Sequence, residues 1–327
     1  MKRRTLTVTV LAVVAVIAAA LVLTGNYMVS FALIPEEHGR DTGLERQRAD
    51  ERYPGIIAWY DSLRADGVLR DTVITGNGDY RLHGVYVPAQ GQANGSAIVI
   101  HGYTDSHFGF LNLARMYRED LGFNVLMPEL YFHGQSEGDH ARMGWFDRMD
   151  IKLWANLAAD MWKDCPMVIH GVSMGAATTM MVSGEEDLNP AVKAFVEDCG
   201  YSSVWNQFKY ELKEMFHLPA FPVMHVADLM CRLRYGWDFR EASSLDQLSK
   251  CAKPMLFIHG DSDDYVPTGD IYLNYEAKTS GVKEMWLAPD TDHATAYMNH
   301  PEEYTARVRN FLNANGFSIA NTDSPQQ

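Results

Sequence analysis

One stretch constrains the fold of this chain more than any other. Gly171-Val172-Ser173-Met174-Gly175-Ala176-Ala177 follows directly on the apolar run Pro166-Met167-Val168-Ile169-His170. Glycines two residues either side of the serine leave room for a tight, strained turn. The run before it has strand character, and the small residues after it open a helix. A strand that turns through a serine into a helix lifts that side chain off the end of a sheet. The helix then points its positive end at the serine, where it favours negative charge. Ser173 is thereby the expected nucleophile, and the chain must supply a sheet to hold it.

Further apolar runs supply that sheet. They are Ala97 to Ile100, Phe123 to Met127, Val192 to Val196, Met255 to Ile258 and Lys283 to Leu287. Continuous apolar runs mark strands covered on both faces. Arg81 to Val87 alternates instead and stops at Pro88, which predicts an outer strand. Met149, Leu153, Leu157 and Met161 recur every fourth residue, a helix face that packs on a core. Strands alternating with helices give an α/β fold, a mostly parallel sheet with helices on both faces. Ligands of such sheets bind beyond the carboxyl ends of the strands, so chemistry is sought just after each run.

Three such places matter. His101-Gly102-Tyr103 follows the first of these runs; His101 abuts the glycine turn and is assigned a positional role. His259-Gly260-Asp261-Ser262-Asp263-Asp264 follows the run at 255–258 and offers three aspartates, one of which can orient a base imidazole. Pro289-Asp290-Thr291-Asp292-His293 follows the last run, and His293 is the expected base.

The amino-terminal segment has a different character. Met1-Lys2-Arg3-Arg4 precedes an uncharged stretch from Thr5 to Pro35, almost wholly aliphatic between Leu6 and Leu23. About 20 apolar residues cross a bilayer core as a helix, whereas the apolar part of a cleaved signal has roughly 7–15. An uncleaved single-pass anchor is expected, with the basic cluster cytoplasmic and the remainder extracytoplasmic. Cleavage at Ala18-Ala19-Ala20 and secretion is the alternative. Leu44 to Asp66 carries Ile56, Ile57, Trp59, Tyr60 and Leu63 and predicts an amphipathic helix packed on the main body. The net charge of −14 argues against nucleic acid as a partner. Cys165, Cys199, Cys231 and Cys251 lack metal-site spacing and read as buried thiols. No metal or organic cofactor is expected, and the oligomeric state is left open.

With these motifs in place, the chain resembles the α/β-hydrolase superfamily from about Val73 to Phe311, nearest to its membrane-anchored bacterial serine esterase and serine aminopeptidase-like branch. The resemblance rests on His101-Gly102, His133-Gly134-Gln135-Ser136, Gly171 to Gly175, Phe257 to Gly260, Asp263-Asp264-Tyr265-Val266-Pro267, and His293-Ala294 with Tyr297. It implies the chain order Ser173, Asp263, His293 for a catalytic triad, with Asp263 as the aspartate of D-x-x-V-P. Asp198 is the alternative acid. It also implies an oxyanion hole from the backbone N–H groups of Tyr103 and Met174. The family's usual D-x-R-G-H-G-x-S stands here as Glu129-Leu130-Tyr131-Phe132-His133-Gly134-Gln135-Ser136.

The implied layout has an anchor or signal segment at 1–35 and an amphipathic linker at 36–70. The catalytic domain takes 71–201 and 251–316, a helical cap after the sixth strand takes 202–250, and a tail takes 317–327. The cap carries Trp205, Phe208, Tyr210, Met215, Phe216, Leu218, Phe221, Met224, Met230 and Trp237. Such residues suit an apolar pocket, so a hydrophobic carboxylic ester is the expected substrate. A peptide or amide is the alternative, with Glu211, Glu214 or Asp228 holding a free amine. A catalytically silent binding module is the third reading.

Overall fold

The computed structural model describes residues 2–36, 38–163 and 165–319, so the tail expected at 317–327 lies largely outside the described residues. Eight strands form one sheet: β1 (Arg70–Thr75), β2 (Arg81–Val87), β3 (Gly95–Ile100), β4 (Phe123–Pro128), β5 (Met167–Val172), β6 (Val192–Asp198), β7 (Met255–Gly260) and β8 (Lys283–Ala288). Their order is β1-β2-β4-β3-β5-β6-β7-β8. β2 pairs antiparallel with β1 and β4, and every pairing from β4 to β8 is parallel. The helices are α1 (Lys2–Leu33), α2 (Thr42–Arg52), α3 (Ile56–Ala65), α4 (Leu111–Arg115), α5 (Asp147–Met161), α6 (Met174–Ser183), α7 (Val204–Phe216), α8 (Val223–Tyr235), α9 (Ser244–Leu248), α10 (Gly269–Ala277), α11 (Ala296–Asn299) and α12 (Pro301–Ala314).

The pleat sorts side chains into two cores. Ile98 and Ile100 face one side with Ile169, Phe195 and Phe257, while Ala97 and Val99 face the other with Val168, Val196 and Ile258. The central runs are continuous because both sides are covered. The outermost strand on the antiparallel edge is β1, not β2 as the alternation at 81–87 predicts. β1 pairs along one edge only and its residues are exposed or half-buried. Arg70-Asp71-Thr72-Val73-Ile74-Thr75 therefore needs no apolar run, and its composition gives no strand signal.

The expected amphipathic segment is two helices, α2 and α3, broken at Pro54-Gly55. Asp50 Oδ1 caps the second by accepting from the Gly55 and Ile57 amides. Ile56, Tyr60 and Leu63 of α3 are buried in the second core. The connection from β6 to β7 carries α7 and α8, which cover the carboxyl end of the sheet. Pro219 and Pro222 fall between them.

α1 has two parts. From Arg4 to Ala20 every residue is exposed, including Leu6, Leu11 and Val16. From Gly25 onward the helix packs against α8, and Val29 and Leu33 are fully buried. A Cβ on Gly25 would lie 2.6 Å from Val226 Cγ1, so the two helices touch closely there. Arg234 Nη1 donates to Asn26 Oδ1 and Ser30 Oγ at 2.9 and 2.8 Å. The Ala141 amide donates to Leu33 O at 2.7 Å, and Tyr103 Oη to Ala32 O at 2.8 Å. α1 is thus an exposed apolar rod at one end and part of the folded body at the other.

Candidate active site

β5 ends at Val172 and α6 begins at Met174, so the turn between them is a single residue. Ser173 carries it at φ 57° and ψ −118°, a conformation costing a non-glycine residue about 1–3 kcal/mol. The surroundings hold it there. The Ser173 amide donates to Asp198 O at 2.8 Å, and the Ala177 amide to Ser173 O at 3.0 Å. A Cβ on Gly171 would collide with Gly175 O, and one on Gly175 with Ile100 O. The flanking glycines thus let α6 close onto β5 and β3. Met174 opens α6, so its N–H has no acceptor within the helix.

The loop after β8 brings His293 to this turn. His293 Nε2 lies 2.8 Å from Ser173 Oγ, and His293 Nδ1 lies 2.8 Å from Asp263 Oδ2. An ionised Asp263 accepts from Nδ1–H, which leaves Nε2 to accept the serine hydroxyl proton. The Asp263 carboxylate is buried, and its Oδ1 accepts from the Tyr265 and Val266 amides at 3.0 and 2.9 Å. Burial opposes its charge, but hydrogen bonds from His259 and His293 outweigh this and hold its pKa at about 2.

The other carboxylates are occupied elsewhere. Asp261 Oδ1 accepts from Ser262 Oγ and the Thr291 amide. Asp264 is exposed. Asp198 Oδ2 accepts from Tyr304 Oη at 2.9 Å, and burial raises its carboxyl to about 6. Tyr304 Oη in turn faces His170 Nε2 at 2.9 Å, and His170 Nδ1 faces Tyr117 Oη at 3.0 Å. This chain lies behind the turn, and His293 bonds to Asp263 rather than Asp198. His101 Nε2 accepts from the Leu130 amide at 2.9 Å and its Nδ1 lies 2.8 Å from Gly102 O, so it ties the ends of β3 and β4 together. Burial lowers its pKa to about 4.

One residue of this site has no assigned role in the sequence reading. His259, the penultimate residue of β7, is fully buried and places Nε2 3.2 Å from Asp263 Oδ2 and 3.0 Å from Val266 O. Its sequence signals are its place between an apolar run and the aspartates and its position in the Phe257 to Gly260 stretch of the resemblance, neither of which names a role. Cys199, Asp263 and His293 also offer three donor atoms within 4.8 Å of one another. Both nitrogens of His293 are already engaged, and burial holds the Cys199 thiol well above its ordinary pKa. That donor set suits an acid–base relay and not a metal ion.

Ser173 and Met174 line a cavity of ≈ 520 Å³. Its walls are Phe208, Leu212 and Phe216 of α7, Met224 of α8, and Tyr265 and Val266 beside Asp263. A fourth wall is α1 itself, through Met28, Phe31 and Ala32. Glu211 and Glu36 are the carboxylates of the lining. Glu211 Oε1 accepts from Gln207 Nε2 at 3.0 Å, and burial raises its pKa. Glu214 faces solvent beside Lys213, and Asp228 is held by Arg240 and the Phe239 amide, away from the cavity.

No protein-family model matches the chain. Uncharacterized protein YqkD of Bacillus subtilis (strain 168) is 31% identical over 234 residues, 71% of this chain and 75% of that protein. Caffeoylshikimate esterase of Arabidopsis thaliana is 26% identical over 102 residues, 30% of each. Among solved structures, the esterase Pf2001 of Pyrococcus furiosus superposes with TM-score 0.61 at 22% identity, covering 77% of this chain and 95% of that one. A puromycin-hydrolyzing peptidase of Mycobacterium tuberculosis superposes with TM-score 0.57 at 19% identity, covering 76% of this chain and 40% of that one. Likeness at these structural identities carries the fold, and esterases and peptidases share it. By sheet order and by the strand–serine–helix turn the chain has the α/β-hydrolase fold, and by its likeness to YqkD it belongs to the family of that protein.

Proposed function

We propose that the protein is a serine hydrolase that cleaves a carboxylic ester through an acyl-enzyme on Ser173. The observation that carries this reading is the continuous relay Ser173 Oγ–His293–Asp263, with 2.8 Å at both contacts. His293 Nε2 takes the hydroxyl proton as Ser173 Oγ attacks the carbonyl carbon. Asp263 holds the imidazole in the tautomer that accepts this proton and stabilises the cation that forms. The Met174 and Tyr103 amides face the developing oxyanion, a contribution of about 2.7–4 kcal/mol per donor. His293 then returns the proton to the departing alcohol. Water, deprotonated by the same nitrogen, releases the acid and restores Ser173.

The apolar walls favour a hydrophobic acyl or alcohol group. Glu211 supports a second reading, since a half-buried carboxylate inside the cavity can hold the free amine of an aminoacyl amide. A panel of p-nitrophenyl esters and aminoacyl-p-nitroanilides separates the two. We expect ester turnover to dominate, and Glu211→Gln to change ester kcat/KM by less than about threefold, under 0.7 kcal/mol. Preferred turnover of the anilides, lost in Glu211→Gln, would instead make the protein an aminopeptidase. A fluorophosphonate probe should label Ser173 in the wild type and leave Ser173→Ala unlabelled.

α1 is long and apolar enough to cross a bilayer by length and composition. We assign it as a single-pass anchor, with the catalytic domain extracytoplasmic. Cleavage after Ala20 would remove the exposed rod and keep the packed segment from Gly25. The amino-terminal residue of membrane-extracted protein decides between the two.

A further inference from the structure

We infer that α1 and the α7–α8 cap seat the pocket on the bilayer, and that its substrate is a single-chain acyl ester drawn directly from that bilayer. The inference deepens the ester reading and the anchor reading above and rests on both. Thr5 to Thr24 is the stretch of α1 ahead of the close packing on α8, exposed as far as Ala20 and half-buried at Leu21 and Thr24. At 1.5 Å per residue it spans about 30 Å, the thickness of a hydrocarbon core. The bilayer boundary therefore falls where Gly25 meets Val226 of α8. Met28, Phe31 and Ala32 line the cavity that ends at Ser173, and they begin only three residues further on. That is about 5 Å along the helix axis. A pocket one wall of which starts that close to the boundary cannot stand away from the membrane.

The cap carries the matching surface. Leu229 and Leu233 lie four residues apart on α8, on one stripe, and are 51% and 70% exposed. Phe221, in the turn between α7 and α8, is 73% exposed, and Leu218 in the same turn and Met215 near the end of α7 are also exposed. Phe31 of α1 meets Phe216 of α7 edge to face at 5.3 Å between ring centres, which joins this surface to the anchor. Arg232 and Arg234 sit at the carboxyl end of α8 in a protein of net charge −14, Arg234 bonded to Asn26 and Ser30 of α1 at the level where lipid headgroups would meet them. Continuity with the anchoring helix selects the bilayer as the occupant of this face. The cavity of ≈ 520 Å³ has room for one chain, and its lining is mostly apolar, with Ser173, Gln207, Glu211 and Glu36 among the polar residues. An ester group would descend to Ser173 with its chain lying between α1 and the cap.

The test uses the full chain in phosphatidylcholine vesicles, with Cys165→Ser removing the half-buried thiol. Environment-sensitive labels are placed at Phe221→Cys, at Leu233→Cys and, on the far side of the sheet, at Glu303→Cys. Lipid brominated on its chains should quench the first two strongly and the third weakly. Equal quenching at all three, or shielding of Phe221 and Leu233 by a second copy of the chain, overturns the placement. In a second arm, Leu233→Asp is assayed on soluble p-nitrophenyl butyrate and on vesicle-resident monopalmitoylglycerol. Butyrate turnover should hold within about twofold, while palmitoyl turnover should fall about tenfold. Equal effects on both substrates overturn entry from the bilayer. A wild type that turns over no ester overturns the ester reading and the substrate half of this inference, and the quenching still decides the placement.

Discussion

Ser173→Ala is expected to lower ester turnover by a factor on the order of 10⁶, and Asp263→Asn by about 10⁴. The two losses have different causes. Alanine removes the atom that forms the acyl bond, so only water attack assisted by the oxyanion donors remains. Asparagine at 263 keeps the shape of the side chain but loses the charge that fixes the His293 tautomer. It can present an N–H₂ to Nδ1, which then leaves Nε2 protonated and unable to accept from Ser173. The fold should survive both changes. Alanine at 173 meets the same backbone strain as serine, and no polar group of the turn other than the hydroxyl is lost. Because the residues act as one unit, Ser173→Ala with His293→Ala should be no slower than Ser173→Ala alone. Single-turnover kinetics with an activated ester measure all three. A serine variant within tenfold of wild type would remove Ser173 from the mechanism. An Asp198→Asn variant slower than Asp263→Asn would transfer the acid's role to the buried carboxyl under Tyr304.

The sequence carried the sheet because burial on both faces leaves a local mark. Ile98 to Ile100, Met167 to Ile169 and Met255 to Ile258 are apolar throughout since no residue in them meets water. β1 left no such mark because its surroundings are mostly solvent. The site was legible in part for another reason: chain order and strand ends place Ser173, Asp263 and His293 at one end of the sheet before any distance is known. Their contacts span 120 and 30 residues, which no local pattern encodes. His259 was invisible because a buried histidine that supports an acid looks like any histidine ending a strand. α1 was legible as an apolar helix and illegible as a pocket wall, since lipid and protein interior select the same side chains. The interruptions at Gly25, Asn26 and Ser30 are the exception, and each now has a partner on α8.

Glu129→Gln is expected to destabilise the fold by about 3–5 kcal/mol, the cost of removing one partner from a buried charged network. The residue replaces the aspartate that the resemblance leads one to expect, and its surroundings explain why a longer carboxylate stands there. Oε1 accepts from His107 Nδ1 at 2.7 Å, and Oε2 from His83 Nδ1 at 2.8 Å and the Gln135 amide at 2.6 Å. His83 Nε2 meets Asp71 Oδ1 at 2.9 Å, which ties the edge strand β1 into the same network. Glutamine would turn an amide N–H₂ toward groups that already donate. Thermal unfolding near pH 6 should show a fall in Tm on the order of 5–10 °C.

The pH dependence has a definite sign. Burial opposes the Glu129 charge, but hydrogen bonds from His107 and His83 hold its pKa well below the ordinary carboxylate range. Its stabilising contribution is therefore present above the unfolded value of about 4.5 and is lost as pH falls toward the depressed folded one. Burial also opposes a charged His83, yet Glu129 and Asp71 raise its pKa above the ordinary value. That contribution is full below about 6.5 and is lost as pH rises through the raised folded value. The gap in Tm between wild type and Glu129→Gln should thus be widest between about pH 5 and 6.5 and narrow on both sides. A gap independent of pH would mean that Glu129 acts by shape alone. A gap that follows this window would tie the stability of the loop at His133–Ser136 to a charge that sits one residue before Leu130. The Leu130 amide donates to His101, and His101 sets the turn that carries Tyr103 to Ser173. Loss of the charge should then reach turnover as well as Tm, through the oxyanion loop and not through His293.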